Sequence, residues 1–171
     1  HLFIGATGWS DLQSYDHFLP EEKKRATNAG VADFYQIGGY MEGDNHEWTV
    51  ENMLQQSEID KHFLKKKLKT SYQSGLIPVV VTHFSPLEYL NNHRFPIRPL
   101  SSYFSNNWTD LMREVGNQGG TWIYGHTHVR HGAKIIDGTL GIINMRGYQN
   151  ECKDTYDPYM IIDIDMGEND V

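Results

Sequence analysis

Two short stretches carry side chains suited to metal chemistry. Val79-Val80-Val81-Thr82-His83 ends a β-branched apolar run in a histidine, and Trp122-Ile123-Tyr124-Gly125-His126-Thr127-His128 ends a second run in two. Imidazole is a borderline ligand that suits Zn, Fe and Mn. Each run reads as a strand, and sites in α/β folds are built at the carboxyl ends of strands. In an extended segment His126 and His128 point to one side, whereas in a tight loop they diverge toward two neighbouring ions. A lone histidine after a strand, such as His83, is more often a hydrogen-bonded core residue than a ligand. Three histidines at two strand ends, with Thr82 before one and Gly125 before the next, favour the metal reading.

The elements that must position these residues can be read from periodicity. Leu2 to Gly5 reads as a short buried strand, followed by a loop through Trp9 and Asp11. Pro20-Glu21-Glu22 opens a helix, with proline and acids in its first turn and Gly30 as its stop. Residues 38–48 are Gly-rich and irregular. Thr49 caps a long helix that carries Val50, Met53, Leu54, Phe63, Leu64 and Leu68 and ends near Gly75. Ile77 to Val81 is a strand buried on both faces, and Phe84 to Asn107 is a long loop of the kind that serves function. Trp108 to Val115 forms a helix stopped by Gly116, and Trp122 to Tyr124 a strand. Ala133 to Ile136 and Leu140 to Asn144 form a hairpin across Asp137-Gly138, and Met160 to Asp165 a final strand with alternating acids. Alternation of strand and helix early, with consecutive strands late, predicts a mixed α/β sheet sandwich.

Composition bounds the function. The 171 residues have the length of one domain. The longest apolar run, Leu76 to Val81, is far too short to span a bilayer, and no leader pattern opens the chain. These features imply no membrane partner. The lone Cys152 excludes an internal disulfide framework and suits a reducing, cytoplasmic setting. A formal charge of −7 argues against a broad nucleic-acid surface. The basic cluster Lys65-Lys66-Lys67 with Lys69 reads as a solvated helix face. His1 is not a translation start and leads straight into a strand, which suggests truncation.

With these residues in view, the chain resembles the C-terminal portion of the calcineurin-like metallophosphoesterases, in particular the compact bacterial single-domain kind. The Thr82-His83 and Gly125-His126-Thr127-His128 strand ends match two of that family's metal motifs. Phe3 to Asp11 is similar to its Gly-Ala-Thr-Leu-Trp-Thr-Asp segment, with Gly8 in place of Leu. Pro99 to Ser105 resembles the segment before the helix that precedes Gly-His-Thr-His. Asn144-Met145-Arg146-Gly147-Tyr148 and Asp157-Pro158 resemble its Asn-Pro-Arg-Gly-Tyr and closing strand, with Met145 in place of proline. The matches are in order and cover essentially the whole chain.

The resemblance implies that residues 1–171 are the C-terminal portion of one α/β domain, part of a four-layer αββα sandwich with mixed sheets. It implies phosphoester hydrolysis, on a monoester or diester, with two divalent metal ions (Mn, Fe or Zn). His83 and His126 would bind the second ion and His128 the first. The bridging Asp, the other ligands and the proton-donating His belong to family motifs that precede the matched segment, so no catalytic residue is identifiable here and the proton donor is expected upstream of His1. Gly43-Asp44-Asn45-His46-Glu47 has similar letters, but an extra Asp interrupts them and no hydrophobic strand precedes them, so it reads as a loop. Asp16-His17 lacks both strand and spacing. The chain alone is expected to bind metal weakly and to turn over no substrate. A missing N-terminal half, or a second polypeptide, would complete the fold and cover strands left partly exposed. Arg98 and Arg146 are candidate phosphate contacts because a guanidinium matches phosphate geometry, although each equally suits a structural ion pair. Trp9 and Asp11 are candidates to line the same cleft. The rival functional reading is a non-catalytic, degenerate or split module that binds a partner or phosphate ligand. A further alternative is a mononuclear zinc site made by the three histidines.

Overall fold

The computed structural model describes residues 1–37, 48–90, 96–128, 133–136, 138–149, 151–152 and 156–164. Five strands form one mixed sheet in the order β1-β2-β3-β5-β4. They are β1 (Leu2–Ala6), β2 (Pro78–Thr82), β3 (Thr121–Ile123), β4 (Ala133–Ile136) and β5 (Thr139–Ile142). β1, β2, β3 and β5 run parallel, and β4 closes the far edge antiparallel to β5. The protein is therefore α/β. The hairpin stands where Gly138 predicts it, although Asp137 lies outside the described residues, as does the Gly43–Glu47 stretch.

The helices begin where capping chemistry starts them. In α1 (Pro20–Gly30) the Glu22 carboxylate accepts the Leu19 N–H at 3.0 Å. α2 (Asp33–Gln36) is a single turn. In α3 (Val50–Ser74) Thr49 Oγ1 accepts the Asn52 N–H and Asn52 Oδ1 accepts the Thr49 N–H, both at 3.1 Å, a reciprocal box that satisfies two end donors. Gly75, at φ 62°, closes the helix and returns its N–H to the last-turn carbonyls. α4 (Thr109–Asn117) runs through Gly116 and does not stop there. Gly116 is instead a close-approach position, since a Cβ would stand 2.6 Å from Thr139 Oγ1 and 2.7 Å from the Gly138 carbonyl carbon. Its missing side chain lets α4 lie against the β5 turn.

One core forms where α3 and α4 cover one sheet face. Ile4, Val80 and Trp122 pack there with Leu64, Leu68, Leu111, Met112 and Val115. A second cluster of Leu12, Val31, Phe34, Trp48, Val50, Met53, Phe84 and Tyr103 lies toward the strand ends. The second strand is buried on both faces, as expected, at Val79 and Val80, whose side chains point to opposite sides, and departs from this only at Val81, which is 39 % exposed. By strand alternation and register, Phe3 and Ile135 share its face, and they are 69 % and 57 % exposed.

The final strand expected over Met160 to Asp165 does not form across its described part, 160–164. Ile161 is 94 % exposed. An alternating pattern becomes a strand only where a neighbour supplies the ladder and a face to bury. No described helix is long and apolar enough to cross a membrane.

Candidate metal centre

The site grows from three neighbouring chain segments at the carboxyl ends of β1, β2 and β3. Backbone bonding continues past the strands there, with the His83 N–H on the Thr7 carbonyl and the Gly125 N–H on the His83 carbonyl, each at 3.0 Å. The two threonines before the histidines are buried anchors. Thr82 Oγ1 accepts the Trp122 indole N–H at 2.9 Å and donates to the Phe84 carbonyl at 2.8 Å. Thr127 Oγ1 points to the Leu90 carbonyl at 3.5 Å, tying the third segment to the loop that follows β2.

Between them His126 occupies a strained turn. Its φ is 63°, in the left-handed region that non-glycine residues rarely adopt. The Thr127 N–H reaches back to the Gly125 carbonyl at 2.7 Å, closing a three-residue turn around it. Such a conformation costs about 1–3 kcal/mol and persists only where the surroundings enforce it. Here they are aromatic. The imidazole lies 4.2 Å from the Phe84 ring and 5.3 Å from the Phe104 ring, at 33° and 27° to their planes, with Tyr103 at 5.4 Å.

The turn brings His126 Nδ1 to 3.0 Å from His83 Nε2. Burial depresses the His126 pKa to about 3, with the neighbouring His83 and His128 adding to it. Burial also lowers His83, helped by His128 and opposed by the Asp33 carboxylate. Both rings are thus neutral near pH 7, the state in which imidazole ligates a metal. At 3.0 Å the two nitrogens share a ring-to-ring hydrogen bond, one donating and one accepting according to tautomer, and the contact brings together two ring nitrogens that could turn toward one ion. His126 Nε2 is buried without a hydrogen-bond partner, a polar atom of the kind that marks functional centres. Among the described residues no three His, Cys, Asp or Glu side chains converge on one point.

His128 takes a different direction, its Nδ1 lying 2.6 Å from Glu151 Oε2. Trp9 joins the aromatic wall, 5.1 Å from Phe84 and 5.3 Å from Trp48. Asp11 is buried in a loop-holding role. Its carboxylate accepts the Gln13 N–H at 2.9 Å, and burial raises its pKa against the pull of the Gln13 and Asn107 amides and of Lys61. Arg98 and Arg146 are both exposed. Arg98 opens the 3₁₀ turn Pro99–Phe104, where its N–H meets Ser101 Oγ at 3.0 Å.

Several residues escape sequence reasoning. Phe84, Phe104 and Tyr103 hold the His126 ring, and Tyr103 donates its hydroxyl to Asp33. Glu151 meets His128 from 23 positions away in the chain, and no local pattern announces such a pairing. No family model, curated protein or solved structure matches this chain.

Proposed function

We propose that the chain supplies the C-terminal half of a divalent-metal phosphoesterase site, within a calcineurin-like domain of four-layer αββα architecture. The carrying observation is the 3.0 Å approach of two neutral imidazoles, His83 and His126, from the ends of two adjacent parallel strands. His83 and His126 would hold one ion, the Mn, Fe or Zn suited to nitrogen donors, and His128 would address a second. Such a pair would supply charge neutralisation and an activated water for phosphoester hydrolysis. The aromatic wall of Trp9, Phe84 and Phe104 keeps the ligand rings oriented and excludes water from their buried edges. Arg98 and Arg146, exposed on flanking segments, meet the phosphate of an incoming ester.

Two described histidines do not make a complete coordination sphere, and two close dications need a shared carboxylate. By the resemblance to the metallophosphoesterases, the bridging Asp and the proton-donating His would come from a further segment or a second polypeptide. That partner would pack against Phe3, Val81 and Ile135, exposed apolar residues that share one sheet face. The rival reading, a non-catalytic module that holds a partner through the same face, shares this surface but gives no role to the close approach of His126 Nδ1 and His83 Nε2.

Reading the gene upstream of the His1 codon tests the assignment. In-frame Asp-x-His, Gly-Asp and Gly-Asn-His motifs are expected, and the protein so encoded should hydrolyse p-nitrophenyl phosphate with Mn²⁺, losing that activity on His126→Ala. A stop codon with no such motifs, or turnover by residues 1–171 alone at the rate of a finished enzyme, contradicts it.

A further inference from the structure

The described residues between Asn144 and Asp157 are tied together by specific hydrogen bonds. Asn144 Nδ2 donates to the Asp157 carbonyl at 2.6 Å, and the Asp157 N–H returns to Asn144 Oδ1 at 3.1 Å, pinning its two ends together. Between them Gly147 turns the chain at φ 67°. A Cβ there would stand 2.9 Å from Glu151 Oε2 and 3.1 Å from Cys152 Sγ. The glycine therefore does two things. It permits the left-handed turn, and it clears the space into which the Glu151 carboxylate folds back.

That carboxylate is fixed from two sides. Its Oε2 accepts the Tyr148 N–H at 2.9 Å and stands 2.6 Å from His128 Nδ1. The Glu151 N–H in turn reaches the Tyr148 carbonyl at 3.1 Å. The Tyr148 ring meets His128 edge-on at 5.2 Å and 78°, so one turn constrains the imidazole both in rotation and in protonation pattern. A carboxylate is an acceptor only. Facing it, Nδ1 carries the hydrogen, and the lone pair of the neutral ring is left on Nε2.

We infer that Glu151 is a positioning residue, holding His128 as the Nδ1–H tautomer with Nε2 as its donor atom toward a metal ion. This rests on the reading of His128 as a ligand. The chemistry is that of carboxylates behind metal-bound histidines, which fix ring orientation and raise ligand basicity. The competing view is a surface ion pair, with side chains 25 % and 38 % exposed and little energetic consequence. The two views differ in the state of the imidazole with no metal present.

The test is the ¹⁵N spectrum of His128 in the metal-free protein at about pH 9, above the ordinary histidine pKa of about 6.5. The wild type should show the Nδ1–H tautomer. Glu151→Ala should shift it to Nε2–H, the form an unconstrained imidazole favours, and Glu151→Gln, which keeps an acceptor oxygen, should preserve Nδ1–H. In a parallel Zn²⁺ titration Glu151→Ala should weaken binding by about 10–100-fold, the range for loss of such a support. An Nε2–H tautomer in the wild type, or a tautomer indifferent to Glu151→Ala, overturns the inference. Should the alanine variant fail to fold, the wild-type and glutamine spectra still decide. Expected spectra in a protein that binds no divalent ion would sustain the positioning role and sink the metal reading. Zn²⁺ binding with an unaltered tautomer would do the reverse.

Discussion

Thr82 and Thr127 give physical content to the residue before each outer histidine. Neither hydroxyl faces a ligand; both are buried and tie the site loops to neighbouring backbone or indole. His126 is the residue under tension, with left-handed backbone, an orphaned Nε2 and aromatic rings on both sides. His126→Phe removes the orphaned Nε2 but also the ring nitrogen that meets His83 at 3.0 Å. The two changes oppose each other, so unfolding stability should stay within about 1 kcal/mol of wild type in urea melts, while metal binding is lost. A collapse in stability would show that the histidine is structural. Asp11 offers a second test. Burial holds its folded pKa above the ordinary 3.8, so its contribution to stability is fullest below the unfolded value and declines as pH rises through the folded one. The stability difference between wild type and Asp11→Asn should fall as pH climbs through the carboxylate range and then level off. A difference that grows with pH would contradict the burial argument.

At the scale of elements, local chemistry was legible and long-range chemistry was not. Pro20 and Glu22 mark the start of α1, Thr49 and Gly75 bracket α3, and Gly138 marks the hairpin, because caps and turns act over a few residues. Gly116 misled, since its role is to admit Thr139 from across the fold. The histidine-bearing strand ends were readable from apolar runs that stop abruptly. The described residues between Phe84 and Asn107 were not, because tertiary bonds place them. Asn106 is the hub of these, its Nδ2 on the Gly8 carbonyl at 2.9 Å and its Oδ1 on the Asp11 N–H at 2.8 Å. Ser10 Oγ adds a bond to the Ser102 carbonyl at 2.7 Å. Asn106→Ala leaves two buried backbone groups unmet and should cost about 3 kcal/mol, whereas Thr49→Ala should cost about 1 kcal/mol by removing a cap. Urea melts with unchanged slope would report both. Equal, small losses would mean that the loop is not held by Asn106.

For the molecule as a whole, helices cover one sheet face, and among the described residues the other face carries both buried side chains, Val79 and Ile142, and exposed apolar ones. α3 and α4 seal Ile4, Val80 and Trp122, while Phe3, Val81 and Ile135 remain exposed on the other side. Strand alternation made the apolar character of both faces visible in the sequence, but not which face the helices would take. Exposed apolar sheet surface promotes association. Phe3→Lys with Ile135→Lys should reduce concentration-dependent self-association in sedimentation velocity without lowering the melting temperature. A fall in melting temperature would mean that the face is already covered.

If His83 and His126 act together as ligands of one ion, titration of the chain with Zn²⁺ or Mn²⁺ reads it out. Saturable binding is expected, weakened in His83→Ala and in His126→Ala alike by more than the roughly tenfold minimum seen on losing a supporting residue. Absence of binding by the wild type, or binding that neither substitution alters, would contradict it.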